Sequence, residues 1–135
     1  MSTMSVYDNM DLNELLKLFK EQLLNFVDEL IETFPNEGNL ILLRVYIDTH
    51  LIIEKSLSEF TNKINEDNGK LKQMIKQRNE HFFINYDLIN LESKNEINYM
   101  LKLWQDDILQ PDDKSTIWDW VDLFVKISNS FLLKQ

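Results

Sequence analysis

The chain has 135 residues, a formal net charge of −9 and a hydrophobic share of 44%, which suits about one globular domain with its own core. It contains no cysteine, which excludes a disulfide framework and a thiolate metal site. We expect no membrane span, because no apolar run approaches about 18 residues, and no secretory signal or myristoylation site at the start. The acidic total disfavours general binding to nucleic acid.

The residue usage indicates an AT-rich gene. Alanine is absent, Asn, Ile, Lys and Phe are abundant, and Arg44 and Arg78 are the only arginines. Alanine is the best helix former, so its absence from a chain with helical patterning points to mutational bias rather than to a preference of the fold.

The first helix is predicted over residues 11–34. Asp11 has the character of an N-cap, with Glu14 as its capping-box partner, and Pro35 and Gly38 follow the helix as stop signals. Apolar residues recur at alternating spacings of mostly four and three, which is typical of a helix seam. The seam consists of Leu12, Leu16, Phe19, Leu23, Phe26, Leu30 and Phe34.

Residues 40–47 are apolar on nearly every side. A buried strand is the alternative, but no second strand is available to pair with it. The pattern therefore predicts a helix in the centre of a bundle, with Asn39 as its cap. Asp48 and Thr49 are a predicted break or kink, after which the helical pattern continues to about residue 64.

Three features are predicted in the next part of the chain. Residues 65–69 form a turn, for which the Asn68–Gly69 pair is the signal. A short helix follows over 70–78. Residues 79–92 lack a clean period and are interpreted as a packed loop or short helical turns.

A second capping box, made by Ser93 and Glu96, opens a predicted helix at about 94–109. Together the predicted elements are five to six helices with short connections, so the fold class is all-α, in a single compact bundle. The domain prediction is a flexible N-terminal arm over residues 1–10 and a single helical domain over 11–135.

The final helix is predicted over about 115–133. Pro111 interrupts the helical pattern before it, and Asp113 or Ser115 is the predicted cap. One apolar stripe runs along it through Ile117, Val121, Phe124, Ser128 and Phe131.

Three apolar residues are candidates for binding a partner. Leu18 and Leu24 fall about 120° to either side of the seam of the first helix, so one neighbouring helix cannot cover both. Trp118 and Trp120 are about 160° apart on the last helix, and the wheel puts Trp118 farther from the stripe. Tryptophan is common at interface hot spots, so Leu18, Leu24 and Trp118 are the predicted partner-binding set. The alternatives are a central position of the first helix in the bundle and, for Trp118, packing against a neighbouring helix or residues 79–92.

A basic segment stands out in the acidic chain: Lys63, Lys70, Lys72, Lys76 and Arg78 lie within residues 61–80. Lys70, Lys72, Lys76 and Arg78 are a secondary candidate patch for phosphates or an acidic partner, while a solvated helix face is the plainer interpretation. No aromatic residue is interleaved among them, as a stacking platform for single strands would need.

No catalytic, metal-binding or cofactor-binding residue is predicted. His50 and His81 have no ligand pattern around them, and two isolated glycines cannot form a phosphate-binding loop. The carboxylates between Asp106 and Asp122 could bind a divalent cation, but a charged turn with acids at a helix start explains them as well.

Several segments are similar to a known family. Residues 19–26 running to 33–35, and again residues 82–86, resemble a small, largely uncharacterised family of helical proteins in nucleocytoplasmic large DNA viruses, the giant viruses and their relatives. The closing helix is also similar, at Leu103, Trp104, Lys114, Ile117, Trp118, Trp120 and Phe124. The likeness covers about half the chain, departs over 40–78, and implies no catalytic residue or cofactor.

The sequence thus predicts a non-enzymatic viral interaction or structural protein of the host cytoplasm or the virion, such as a minor virion component. It would dock a viral or host protein through apolar helix faces, and a homodimer is compatible with the same faces. The alternative is a regulator that binds a host or viral nucleic-acid machine through the basic segment 63–78.

Overall fold

The computed structural model describes residues 6–80 and 109–135, and every regular element within them is helical. A 3-10 turn, Val6–Asn9, precedes four α-helices: α1 (Leu12–Thr33), α2 (Gly38–Thr49), α3 (Ile53–Lys76) and α4 (Pro111–Leu133). The all-α prediction is confirmed for this part of the chain, which holds four α-helices where five to six were predicted for the whole. Nearly all of the helix predicted at 94–109 and of the loop predicted at 79–92 lies outside the described residues.

The residues group into two compact units, Met1–Ser58 with Lys126–Gln135, and Glu59–Val125. Within the first unit, Ser130 donates its hydroxyl to the carboxylate of Asp8, and the Lys134 ammonium donates to the backbone oxygen of Asp8 at 3.0 Å. The flexible arm over 1–10 and the single domain over 11–135 stay predictions.

The first helix follows its capping signal. Asp11 is the N-cap, because its Oδ1 accepts a hydrogen bond from the Glu14 backbone N–H at 2.8 Å. The helix ends at Thr33, and Phe34 closes it before Pro35. The buried residues are Leu15, Phe19, Leu23, Phe26, Val27 and Leu30, so the predicted seam is confirmed over its central four members.

The second helix packs on α1. It begins at Gly38 with Glu37 at the N-cap position, where no side chain makes the capping hydrogen bond. The predicted cap, Asn39, is wrong, because that residue lies inside the helix. The predicted break at Asp48 and Thr49 is confirmed by the end of α2. The prediction of a helix rather than a buried strand over residues 40–47 is also confirmed.

The third helix is interrupted where the turn was predicted. Asp67, Asn68 and Gly69 have φ values of 52°, 59° and 76°, three consecutive residues in the left-handed region. Side chains other than glycine, asparagine and aspartate rarely adopt this conformation, so the sequence of the turn accounts for its backbone.

The end of α3 also contains a residue in the left-handed conformation. The Arg78 N–H donates to the Ile75 oxygen and the Asn79 N–H to the Met74 oxygen, both at 2.9 Å. This pair of bonds is a Schellman motif, in which the residue with positive φ is usually glycine. Here that residue is Arg78, with φ 52°.

The last helix begins at Pro111, earlier than the predicted start near residue 115. Proline has no N–H to satisfy and a fixed φ, which suits the first helical position, so the predicted start of this helix is wrong by about four residues. Asp113 accepts a hydrogen bond from the Gln110 backbone N–H at 3.1 Å, and it therefore caps from inside the first turn. The predicted stripe is buried in full: Ile117, Val121, Phe124, Ser128 and Phe131.

Candidate protein-docking surface

The helix α2 has one buried and one exposed apolar face. Leu40, Leu43 and Ile47 are at most 5% exposed. Ile41, Leu42 and Val45 are 50%, 62% and 51% exposed, and these three residues are called the α2 apolar face below. Single exposed aliphatic residues are ordinary on protein surfaces. Three on one helix face form an apolar patch whose exposure to water is unfavourable in free energy.

The helical repeat explains why the two faces are distinct. At about 100° per residue, the three exposed residues fall within an arc of about 100°, whose centre is nearly opposite that of the buried set. Gly38 and Thr49 share the arc and carry no charge. This arc of α2 therefore contains three large apolar side chains and no charged residue.

Ion pairs line one edge of this face. Arg44 donates to the Asp28 carboxylate from Nε at 2.5 Å. The Lys20 ammonium lies 3.9 Å from the Asp48 carboxylate and donates to the backbone oxygen of Asp48 at 3.0 Å. The pKa of Arg44 is raised above its ordinary value, first by its hydrogen bond to Asp28. Since these charges are paired within the first unit, none of them needs a partner on the α2 apolar face.

The exposed face corrects the prediction that α2 is buried all round. The all-apolar run 40–47 was interpreted as the centre of a bundle, yet half of its circumference is exposed. Periodicity detects a face only when polar residues mark the opposite side. The excess of apolar residues in 40–47 could have indicated the patch. One neighbouring helix covers about one side of a helix, so the remaining apolar residues have to face something else.

The predicted docking residues are less accessible. Leu18 and Leu24 are half-buried on α1. Trp118 is only 4% exposed, whereas Trp120 is half-buried, so the order predicted from the wheel is wrong. The buried face of α4 is wide near its start, where adjacent Ile117 and Trp118 are both buried. The predicted apolar stripe is one residue wide and therefore leaves out Trp118. For Trp118, we therefore adopt the alternative of packing inside the protein.

The basic segment is not one patch. Arg78 points its guanidinium to acids of the same unit, with Nη2 at 2.8 Å from Asp119 and 3.4 Å from Asp122, and Nη1 at 3.3 Å from Ser115. The pKa of Arg78 is raised, first by the hydrogen bond to Asp119. This residue is thus engaged inside the second unit and is a poor contact for phosphate.

The lysines of that segment point in two directions. Lys70 and Lys72 are about 160° apart around the helix axis, while Lys72 and Lys76 are about 40° apart. Lys70 and Lys76 are exposed, and Lys72 is half-buried. Burial lowers the pKa of Lys72. Only Lys72 and Lys76 therefore share a face that meets solvent.

The acidic cluster offers no metal site in the described part of the chain. No group of three or more potential His, Cys, Asp or Glu ligands comes together there. Asp119 and Asp122 bind Arg78 instead, and Asp106 lies outside the described residues. His50 shares a 2.6 Å contact between its Nδ1 and the Thr49 hydroxyl.

Comparison with known proteins adds no relative: no family model, curated protein or solved structure matches the chain. Among the described helices, none is long and apolar enough to cross a membrane.

Proposed function

We propose that this protein is a non-enzymatic interaction protein that docks a protein partner through the α2 apolar face. The observation that carries the proposal is the exposure of Ile41, Leu42 and Val45 on the side of α2 opposite its buried residues. Covering these side chains removes apolar surface from water and contributes roughly 25 cal/mol per Å². The paired charges along one edge supply a polar rim, as is usual at interfaces.

The size of the surface favours a small contact. A helix of 12 residues is roughly 18 Å long, and a stable interface buries about 800 Å² on each partner. The face alone therefore supports a reversible contact, or one part of a larger interface. A second copy of the chain is compatible with such a contact, and its weak association would depend on concentration.

The proposed setting is the host cytoplasm or the virion of a large DNA virus, where the protein would be a minor virion component or bind one. This part of the proposal rests on the resemblance of residues 19–26, 33–35 and 82–86 to the viral family. A single bundle of five to six helices belongs to the same proposal, because the capping box at Ser93 and Glu96 predicts a further helix at 94–109.

The test is affinity capture of the tagged protein from infected cells and from purified particles, with nuclease added, followed by mass spectrometry. Three proteins are compared: the unaltered chain, Leu42→Glu on the α2 apolar face, and Leu133→Glu as a matched control. Leu133 is 73% exposed near the end of α4, so the same change there places the same charge on another exposed leucine.

A partner that is lost with Leu42→Glu and retained with Leu133→Glu supports the proposal. Recovery of the same proteins with all three chains would contradict docking through α2. Circular dichroism of each variant separates loss of binding from loss of helix.

One observation favours the alternative regulator. In the described part of the chain, no carboxylate pairs with Lys70, Lys72 or Lys76, so these ammonium groups are available to an acidic partner. Binding through them would weaken steeply with salt. A captured partner that is released by moderate salt but unaffected by Leu42→Glu would favour this second function.

A further inference from the structure

The interruption of α3 contains a reactive pair of residues. Asn68–Gly69 is the one Asn–Gly pair in the sequence. Glycine has no side chain to shield its backbone nitrogen, so that nitrogen can approach the amide carbon of the preceding asparagine. This approach is the first requirement for ring closure between the two residues.

The structure leaves Asn68 open to that chemistry. Its side chain is exposed, and no hydrogen bond within the described residues holds its amide. Asn65 differs, because its amide donates to the Thr61 oxygen at 2.7 Å. The backbone of Asn68 lies outside the right-handed helical region, with φ 59° and ψ 32°, so the residue is not held in the geometry of a regular α-helix.

We propose that Asn68 is a site of spontaneous deamidation in the folded protein. The deprotonated backbone nitrogen of Gly69 attacks the side-chain carbonyl carbon of Asn68. A carbon–nitrogen bond forms and the bond to the amide nitrogen breaks. The departing nitrogen takes one proton from water and leaves as ammonia. Water then opens the five-membered imide at either carbonyl, which yields aspartate or isoaspartate, with no change of oxidation state.

The location gives this reaction structural consequences. Each event adds one negative charge to a chain whose net charge is already −9. The isoaspartate product also lengthens the main chain by one carbon between the two helical stretches of α3. Asn68 lies between two further left-handed residues, Asp67 and Gly69, so the added carbon falls where the chain already departs from right-handed helical geometry. The reaction is independent of the proposed docking function.

The experiment uses the full folded chain, incubated in water enriched in heavy oxygen at mildly alkaline and at mildly acidic pH. Digestion after Lys63 and Lys70 releases residues 64–70, in which Asn65 is an internal reference beside Asn68. Fragmentation by electron transfer locates the heavy oxygen and distinguishes isoaspartate from aspartate. We expect conversion at Asn68 many times faster than at Asn65, faster at alkaline pH, and with both products present.

Two results would overturn the proposal. One is equal incorporation at Asn65 and Asn68. The other is an intact Asn68 in the folded chain that converts only after the chain is unfolded in urea. The variant Asn68→Gln, whose longer side chain closes a less favourable ring, is the control for incorporation by other routes and should acquire no heavy oxygen at residue 68.

Discussion

Arg78 and Asp119 form an ion pair of 2.8 Å, although the backbone of Arg78 lies in the left-handed region at φ 52°. The position is the one in the Schellman motif at the end of α3 where glycine is usual. The residue that makes the contact therefore has a backbone conformation that is unfavourable for any side chain with a Cβ atom. The guanidinium also reaches Asp122 and Ser115, so three contacts act against the cost of the backbone.

Arg78→Ala is expected to be less stable than Arg78→Gly. Both variants lose the guanidinium contacts, but only glycine relieves the left-handed backbone, which costs other residues roughly 1–2 kcal/mol. Urea unfolding followed by circular dichroism measures the difference. Equal midpoints for the two variants would mean that residue 78 does not adopt positive φ in solution.

Adjacent leucines on α2 are expected to behave in opposite ways. Leu43 is 5% exposed and Leu42 is 62% exposed. Leu43→Ala should lower the free energy of unfolding by about 2–5 kcal/mol, because it leaves a cavity, whereas Leu42→Ala should change it by less than about 0.5 kcal/mol. Denaturant titration tests both, and a large loss for Leu42→Ala would show that the α2 apolar face is covered in the free protein.

Asp11→Ala is expected to destabilise α1 by about 1 kcal/mol, because the Glu14 N–H loses its acceptor at the helix start. Asp11→Asn retains a side-chain oxygen and is the matched control, with a stability close to that of the unaltered chain. Thermal unfolding of the three proteins provides the measurement. A loss of the same size in both variants would argue that the charge of Asp11, rather than its capping bond, is what matters.

The partial burial of Lys72 predicts that the free energy of unfolding rises at alkaline pH. Burial lowers its pKa in the folded chain below the ordinary 10.5, so between these two values the unfolded chain binds more protons than the folded chain. The free energy of unfolding therefore increases with pH across that window. Lys72→Met removes the titrating group, and its advantage over the unaltered chain should shrink as the pH approaches 10.5.

The matched control for this experiment is Lys70→Met, at an exposed position of the same helix. This variant makes the same exchange of an ammonium group for a thioether and controls for the change of net charge. A parallel pH profile for Lys72→Met would mean that Lys72 is as well hydrated in the folded chain as in the unfolded one.

Local signals in the sequence predicted local structure well. Asp11 with Glu14 marked the start of α1, and Asn68–Gly69 marked the turn within α3, because capping and turn preferences act between residues a few positions apart. The start of α4 was predicted near residue 115 instead of at Pro111, because proline signals a helix end as well as suiting the first position of the next helix.

The candidate site was harder to predict, because burial depends on contacts with distant parts of the chain. The α2 run 40–47 has no polar side, so nothing local indicates which half faces the core. Trp118 and Trp120 pose the same problem on α4, where the wheel favoured burial of the wrong one. Arg78 could be identified as basic, but its engagement by Asp119, 41 residues away, has no signal in the sequence.

The two arginines bear on how this chain tolerates mutation. In an AT-rich gene, a single-base change from an arginine codon to a lysine codon is among the easiest substitutions, and the chain already has many lysines and only two arginines. Both Arg44 and Arg78 make more than one hydrogen bond to carboxylates. A lysine at either position would conserve the charge and lose the planar fork. Genetic drift toward lysine is therefore not neutral at these two positions, whereas the exposed Lys70 and Lys76 have no such constraint within the described residues.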